Sequence, residues 1–241
     1  DKVLDMMINF AHMEADCFIT DFLQRPFDLI KLKKAFTKWQ TKMYGKGWNA
    51  LYMENHDHPR IISRYGSEKY RVESGKSIAA SYLFQRGTPF VYQGQEIGMI
   101  NTPLPSLDDY KDIMVKNNAR IARSLGLSKE TVLKLAQKAS RDNARTCMQW
   151  SGAPSAGFTS SKPWFVVNSN YKDINVESQL DDPNSVLNFY RDALQFRRDN
   201  PVVIYGDYVE HMPKSKELYV YERNLAGKKL LVICSYSEKC V

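Results

Sequence analysis

The spacing of apolar runs constrains this chain more than any other feature. Met6-Met7-Ile8-Asn9-Phe10 reads as a short buried strand. Pro26-Phe27-Asp28 then opens a helix whose Leu32, Phe36, Trp39 and Met43 fall on one stripe, and Gly45 and Gly47 end it. A second apolar run, Ala50 to Met53, precedes a second helical pattern from Glu68 to Arg86, where Val72, Ala79 and Leu83 share a face and Gly87 stops it. A third run, Thr88 to Tyr92, leads into the turn Gln93 to Glu96. Strand, helix, strand, helix, strand implies parallel βαβ units, because parallel neighbours need a long crossover and a helix supplies it.

The rest of the chain is less regular. Residues 101–127 are polar and broken by Pro103 and Pro105, which predicts a loop with a helix inside it. Ser128 caps a helix running through Val132, Leu135 and Ala136. Asp142 to Tyr171 is rich in Gly, Ser, Asn and Pro, and a loop this long inside a compact domain usually carries function. Asp182-Pro183-Asn184 starts a helix with Val186, Tyr190 and Leu194 on one face, ending at Asn200-Pro201. Beyond it, Val202 to Ile204, Tyr208-Val209, Leu218 to Arg223 and Lys229 to Ser235 read as short strands, with a turn at Asn224-Leu225-Ala226-Gly227. The expected division is an α/β part over 1–200 and the beginning of an all-β part over 201–241. A sheet that small is not stable alone, and the chain starts in mid-pattern at Asp1, so both ends read as truncations.

Composition narrows the function classes. The net charge of +7 comes from charges of both signs interleaved along the chain, which argues against a nucleic-acid partner. No apolar run approaches the roughly 20 residues of a membrane span. Cys17, Cys147, Cys234 and Cys240 are scattered, with no C-x-x-C pair, so they read as free thiols in a reducing, cytoplasmic compartment. No metal or other cofactor is expected.

The chemistry concentrates in Asn55-His56-Asp57-His58-Pro59-Arg60, at the end of the run Ala50 to Met53. Ionisable side chains at the mouth of a buried strand are costly without a use, and loops leaving the C-terminal ends of parallel strands are where barrel enzymes place their chemistry. Taken alone, a His-Asp pair there is more often a local hydrogen-bonded turn than a site.

Longer motifs decide the point. Asn55-His56-Asp57 with Pro59-Arg60 resembles the fourth conserved region of the alpha-amylase superfamily, glycoside hydrolase family 13. Gly87-Thr88-Pro89-Phe90-Val91-Tyr92-Gln93-Gly94-Gln95-Glu96-Ile97-Gly98-Met99 resembles the last barrel strand of its alpha-glucosidase branch. Arg141 to Trp150, Ala156 to Thr159, Pro163-Trp164 and Tyr171 to Val176 resemble the following loop of oligo-1,6-glucosidases and dextran glucosidases. The resemblance covers nearly the whole chain, in order.

It implies an α/β fold: the C-terminal part of a (β/α)8 TIM barrel, strands six to eight with their helices, followed by the beginning of an antiparallel β-domain. It implies a retaining alpha-glucosidase acting on short alpha-linked gluco-oligosaccharides, whose nucleophile and acid/base motifs lie upstream of Asp1, so that the chain alone is expected to be inactive. Sucrose- or trehalose-6-phosphate-active relatives and a non-catalytic amylase-like domain are the alternatives. Asp57 matches the family's transition-state-stabilising carboxylate and His56 a hydrogen-bond donor to the sugar. Arg141 or the nearby Arg145 matches the arginine beside the −1 sugar. Arg60 is either a substrate contact or a structural ion pair. Trp164 is a candidate rim contact, while Trp39, Trp48 and Trp150 are expected in the core. Three positions depart from the family. Cys147 replaces a usual proline, which should loosen the turn. Gln95 stands where glutamate is common. Met114 replaces a glutamate of the aglycone side, which leaves the aglycone open. Half a barrel would also expose strand edges, so self-association through them is expected.

Overall fold

The computed structural model describes residues 4–18, 20 and 22–239. Three short strands, β1 (Met6–Met7), β2 (Trp48–Leu51) and β3 (Thr88–Pro89), form a parallel sheet in the order β1-β2-β3. Met6 pairs with Trp48, and Ala50 with Thr88. Pro89 has no N–H to give, so the next bond in the ladder comes from Phe90 N to Leu51 O at 2.7 Å. Gly87 allows the approach of β3: its φ is +151°, and a Cβ there would lie 2.5 Å from Asn49 O. Leu4, Met6, Ile8 and Phe10 on one edge, and Phe90 and Val91 on the other, are exposed.

The crossovers are helical as predicted. Helix α1 (Leu29–Lys42) starts at Asp28, whose Oδ1 accepts from Ile30 N and Lys31 N at 3.0 and 3.2 Å. It buries Leu32 and Phe36, whereas Trp39 and Met43 are only partly covered. A short α2 (Ile61–Tyr65) and α3 (Arg71–Leu83) lie between β2 and β3. The predicted helix inside residues 101–127 is α4 (Ile113–Ser124); α5 (Lys129–Ala139) follows with Ser128 Oγ accepting from Thr131 N at 3.1 Å. Next comes α6 (Val186–Asp199), capped by Ser185 rather than by the Asp182-Pro183-Asn184 turn. Its Arg197 donates to the carbonyls of Leu83, Gln85 and Gly87, fixing the end of α3 and the start of β3.

Val202 to Ile204 is not a strand. It lies in a single helical turn, α7 (Pro201–Tyr205), with Pro201 in its first turn. A β-branched run this short follows its cap and its packing rather than its propensity: Pro201 pre-sets helical φ, and Val202 and Val203 turn inward. Three strands remain, β4 (Asp207–His211), β5 (Leu218–Leu225) and β6 (Lys228–Ser235), antiparallel in that order. Ala226 and Gly227, both with positive φ, turn β5 into β6.

This sheet does not stand by itself. Tyr219, Tyr221, Val232 and Cys234 share one core with Leu32, Phe36, Leu51, Ile78 and Tyr82. Buried cations fasten it to α1. Lys33 Nζ donates to the carbonyls of Met212, Ser215 and Leu218 at 2.8, 2.8 and 3.2 Å. Arg223 donates to Gln40 Oε1 at 3.1 Å and to Gly206 O at 2.7 Å. Among the described residues the thiols of Cys147 and Cys234 are free, Cys17 Sγ accepts from Arg64 Nη2 at 3.8 Å, and Cys240 lies outside the described residues. Among the described residues, no helix is long and apolar enough to cross a membrane.

Candidate active site

The site begins where β2 ends. Tyr52, Met53 and Glu54 continue inward and are buried. At Asn55 the chain turns, because Asn55 Oδ1 accepts from Asp57 N at 2.8 Å. That turn presents His56 and Asp57 on the surface, with side chains 69% and 48% exposed and His56 Nε2 3.2 Å from Asp57 Oδ2. The chain then dips back to Arg60.

Arg60 has no exposure at all. Of the two roles open to it, the structure shows the ion pair. Its Nη1 donates to Glu54 Oε2 at 3.0 Å and to Gln93 O at 2.7 Å, and Glu54 Oε1 accepts from Ile61 N at 2.8 Å. Substrate contact is therefore corrected: the guanidinium is enclosed beneath the site. Burial pushes the Glu54 carboxyl above its usual range, with Arg60 opposing. The pair ties the end of β2 to the end of β3 and so sets the height of the turn that carries Asp57.

The long loop after α5 brings its arginines to that turn. A 3-10 turn, Arg141–Asn143, is capped by Ser140 and held below by Asp142, whose Oδ2 accepts from the backbone N–H of Lys111 and Asp112 at 2.7 and 3.0 Å. Arg141 then reaches two carboxylates. Its Nε donates to Asp112 Oδ1 at 2.9 Å, its backbone N–H to Asp112 Oδ2 at 3.0 Å, and its Nη1 to Asp57 Oδ1 at 3.4 Å. Burial alone would raise the Asp112 carboxyl; the hydrogen bonds from Arg141 and Met114 outweigh it and hold it below the usual carboxylate range. Arg145 reaches the same place from four residues on, its Nε donating to His56 O at 2.9 Å and its Nη2 to Asp57 Oδ1 at 3.1 Å. Sequence left Arg141 and Arg145 as alternatives; the fold brings both to Asp57. Asp112 was not expected at the site. It precedes Arg141 by 29 residues, and nothing in either segment marks the pairing.

Beside Arg145 opens a cavity of about 470 Å³, lined by Tyr92, Gln93, Glu96, Trp150, Phe158 and Trp164. Tyr92 Oη and Gln93 Nε2 both donate to Ala144 O at 3.1 Å, which holds the arginine loop against the end of β3. Burial pushes the Glu96 carboxyl up, and its Oε2 has no hydrogen-bond partner among the described residues. Trp150 is a correction: expected in the core, it is 51% exposed on this rim beside Trp164. Cys147, expected to loosen the turn, instead donates its N–H to Val166 O at 3.2 Å, a bond that proline would lack. A larger cavity, about 730 Å³, lies elsewhere against α3 and β6, and neither Asp57 nor its arginines line it. Among the described residues, no group of three or more His, Cys, Asp or Glu is placed to hold a metal.

The alpha amylase catalytic domain, as a family, matches residues 1–206. The chain belongs to the alpha-amylase family. It is 44% identical to the oligo-1,6-glucosidase of Parageobacillus thermoglucosidasius over 241 residues, covering 99% of this chain and 43% of that protein. It is 41% identical to the oligo-1,6-glucosidase of Heyndrickxia coagulans over 245 residues, with 99% and 44% covered. Among solved structures it matches the trehalose-6-phosphate hydrolase of Bacillus licheniformis, with a TM-score of 0.93 at 42% identity over 97% of this chain and 42% of that one. The isomaltulose synthase of Klebsiella sp. LX3 matches with a TM-score of 0.93 at 34% identity, over 98% and 43%. The chain thus spans about two fifths of the length of the curated relatives it matches. In this alpha-amylase frame, β1 to β3 and their helices are part of a (β/α)8 barrel, and β4 to β6 form a three-stranded antiparallel sheet.

Proposed function

We propose that this chain supplies the sugar-gripping side of the catalytic pocket in a retaining alpha-glucosidase acting on short alpha-linked gluco-oligosaccharides. The observation that carries this is the half-exposed Asp57 carboxylate, its Oδ1 held by Arg145 at 3.1 Å and Arg141 at 3.4 Å and its Oδ2 3.2 Å from the exposed His56 Nε2. A carboxylate so anchored is a pre-positioned acceptor for two sugar hydroxyls. Retaining hydrolysis also needs a nucleophilic carboxylate and a proton donor on either side of the scissile bond. The proposal assigns both to a part of the working enzyme outside these residues, and Asp57 to the ring hydroxyls of the −1 glucose. His56, exposed beside it, donates to a neighbouring hydroxyl. Arg141 and Arg145 hold the carboxylate rather than the sugar ring.

The energetics favour that division of labour. A hydrogen bond to a charged acceptor contributes ~1.5–3 kcal/mol. If it strengthens as the ring flattens toward the oxocarbenium-like transition state, it is worth roughly ten- to a hundredfold in rate. Two arginines anchoring one oxygen keep the acceptor from reorganising as charge develops.

Ligand-detected NMR on the chain tests the binding half. Isomaltose and glucose should show saturation transfer that Asp57→Asn and Arg145→Met each weaken. Equal transfer from all three proteins would refute the assignment. The chain alone should give no turnover of p-nitrophenyl alpha-glucoside; hydrolysis with retention by the chain itself would overturn the placing of nucleophile and proton donor elsewhere.

A further inference from the structure

Two acceptors are left over where β3 ends. Gln93 Oε1 and Glu96 Oε2 are both buried and, among the described residues, neither has a hydrogen-bond partner. They stand three residues apart across one turn, in which Gln95 N donates to Tyr92 O at 3.0 Å. They also border the same spaces. The cavity beside Arg145 and a second one of about 410 Å³, whose lining includes Val91, Tyr190, Arg191 and Leu194, have just these two residues in common. A buried carboxylate oxygen without a donor is costly, and burial pushes the Glu96 carboxyl up against the pull of Arg60.

The cations nearby are committed elsewhere. Arg60 gives Nη1 to Glu54 and to the Gln93 carbonyl, so two carboxylates, Glu54 and Glu96, lie in the field of one guanidinium. Arg145 is bonded to Asp57 and to the His56 carbonyl. Arg191 is exposed and donates to Asn188 Oδ1 at 3.2 Å. This end of the sheet is thus one positive charge short. It is also an open edge. On the side away from β2, β3 pairs with no strand among the described residues, and Phe90 and Val91 are exposed. A closed barrel has no free edge, so a strand outside these residues lies there in the whole barrel.

We infer that Gln93 and Glu96 are the receiving half of an interface, and that the strand lying against β3 in the working enzyme puts an arginine side chain between them. The inference rests on the proposed function in taking the rest of the catalytic pocket from outside these residues, and it adds what that part carries. Two acceptors on different residues call for a donor that forks, and a guanidinium keeps its charge on burial where an ammonium readily loses it. Its aliphatic stem suits the apolar Val91 and Leu194 of the same cavity. The arginine neutralises Glu96 and fixes the turn at Gln93. That residue holds Arg60 through its carbonyl and the arginine loop through Nε2, which donates to Ala144 O at 3.1 Å. Closing the β3 edge is thereby coupled to the height at which Asp57 is presented.

Two readouts test this. In the first, ethylguanidinium, a short analogue of the arginine side chain, is titrated into the 241-residue chain at concentrations below those that unfold it. The carboxyl carbon resonance of Glu96 is followed by NMR, assigned by its absence in Glu96→Gln. The shift should saturate, ethylammonium should bind roughly threefold or more weakly, and Gln93→Leu should weaken ethylguanidinium by roughly three- to tenfold. No saturable shift, or one that Gln93→Leu leaves unchanged, would overturn the inference. The second readout joins the chain to the first five barrel strands of an oligo-1,6-glucosidase relative. Glu96, raised in the chain alone, should titrate below the usual ~4.3 in the joined protein. Glu96→Gln should lower the urea midpoint of the joined protein and not that of the chain. A Glu96 still raised after joining, or a midpoint that moves alike in both proteins, would overturn the interface. Asp57→Asn in the joined protein separates the two readings. A lowered kcat with Glu96 still raised sinks the interface alone; a lowered Glu96 with kcat unmoved by Asp57→Asn sinks the proposed function alone.

Discussion

Replacing Asp112 tests how the site is held, because this carboxylate does three jobs at once. It caps α4 through Met114 N at 2.9 Å, takes the backbone N–H of Arg141 at 3.0 Å, and takes Arg141 Nε at 2.9 Å. Loss of an N-cap costs about 0.5–2 kcal/mol. A charge-assisted bond to a guanidinium adds ~1.5–3 kcal/mol, taken at its lower end here because the Arg141 side chain is 24% exposed and screened. Asp112→Ala should therefore destabilise the fold by about 2–4 kcal/mol, read from urea unfolding at pH 7. Asp112→Asn keeps an acceptor for the cap but drops the charge, and should lose about half as much. The pH dependence has a definite sign. Asp112 is depressed in the folded state, so its contribution is complete above the unfolded value of ~3.9 and is lost as pH falls through the lower folded value. The gap between wild type and Asp112→Asn should thus be flat from pH 7 to about 5 and shrink below about 4. A gap that widens on acidification, or an Asp112→Ala protein as stable as wild type, would refute the reasoning.

Other perturbations follow from the same contacts. Arg60→Met strands Glu54 as a buried, unpaired carboxyl and should cost about 3–5 kcal/mol in urea unfolding, most of it recovered in the Glu54→Met/Arg60→Met double variant. Lys33→Met leaves three carbonyls without their donor, so it should cost roughly 2–4 kcal/mol and speed hydrogen exchange in the β4–β5 connection while leaving α6 unchanged. Cys234, 1% exposed and with its thiol pushed up to about 12 by burial, should resist a thiol reagent at pH 8 until urea unfolds the chain.

Periodicity carried the parallel half of the fold well. The stripe of Leu32 and Phe36 and the caps at Asp28 and Ser128 are local codes, and each forms where sequence placed it; the turn expected over Asn224 to Gly227 is confined to Ala226-Gly227, because Asn224 and Leu225 still pair with Lys229 and Lys228. Val202 to Ile204 failed because three β-branched residues say less than the proline before them. The strands also came out shorter than their apolar runs: of Thr88 to Tyr92, β3 keeps Thr88 and Pro89, Phe90 N adds one more bond to Leu51 O, and Tyr92 already lines the cavity. One turn presents His56 and Asp57 together at the end of β2, as their adjacency in the sequence implied. The surroundings of Arg60, Arg145 and Trp150 were not legible. Whether a charge meets an ion partner or solvent depends on what the fold delivers beside it: Glu54 and Gln93 for Arg60, Asp57 and the His56 carbonyl for Arg145. Trp150 sits at the rim because its loop turns outward, a choice made by tertiary packing.

The most direct measurement of the central claim is turnover by a protein that joins this chain to the first five barrel strands of an oligo-1,6-glucosidase relative, with and without Asp57→Asn. The account predicts retention of configuration, and a kcat lowered by roughly ten- to a hundredfold or more in the variant while its urea midpoint is unchanged. A variant kcat within threefold of the parent would contradict it.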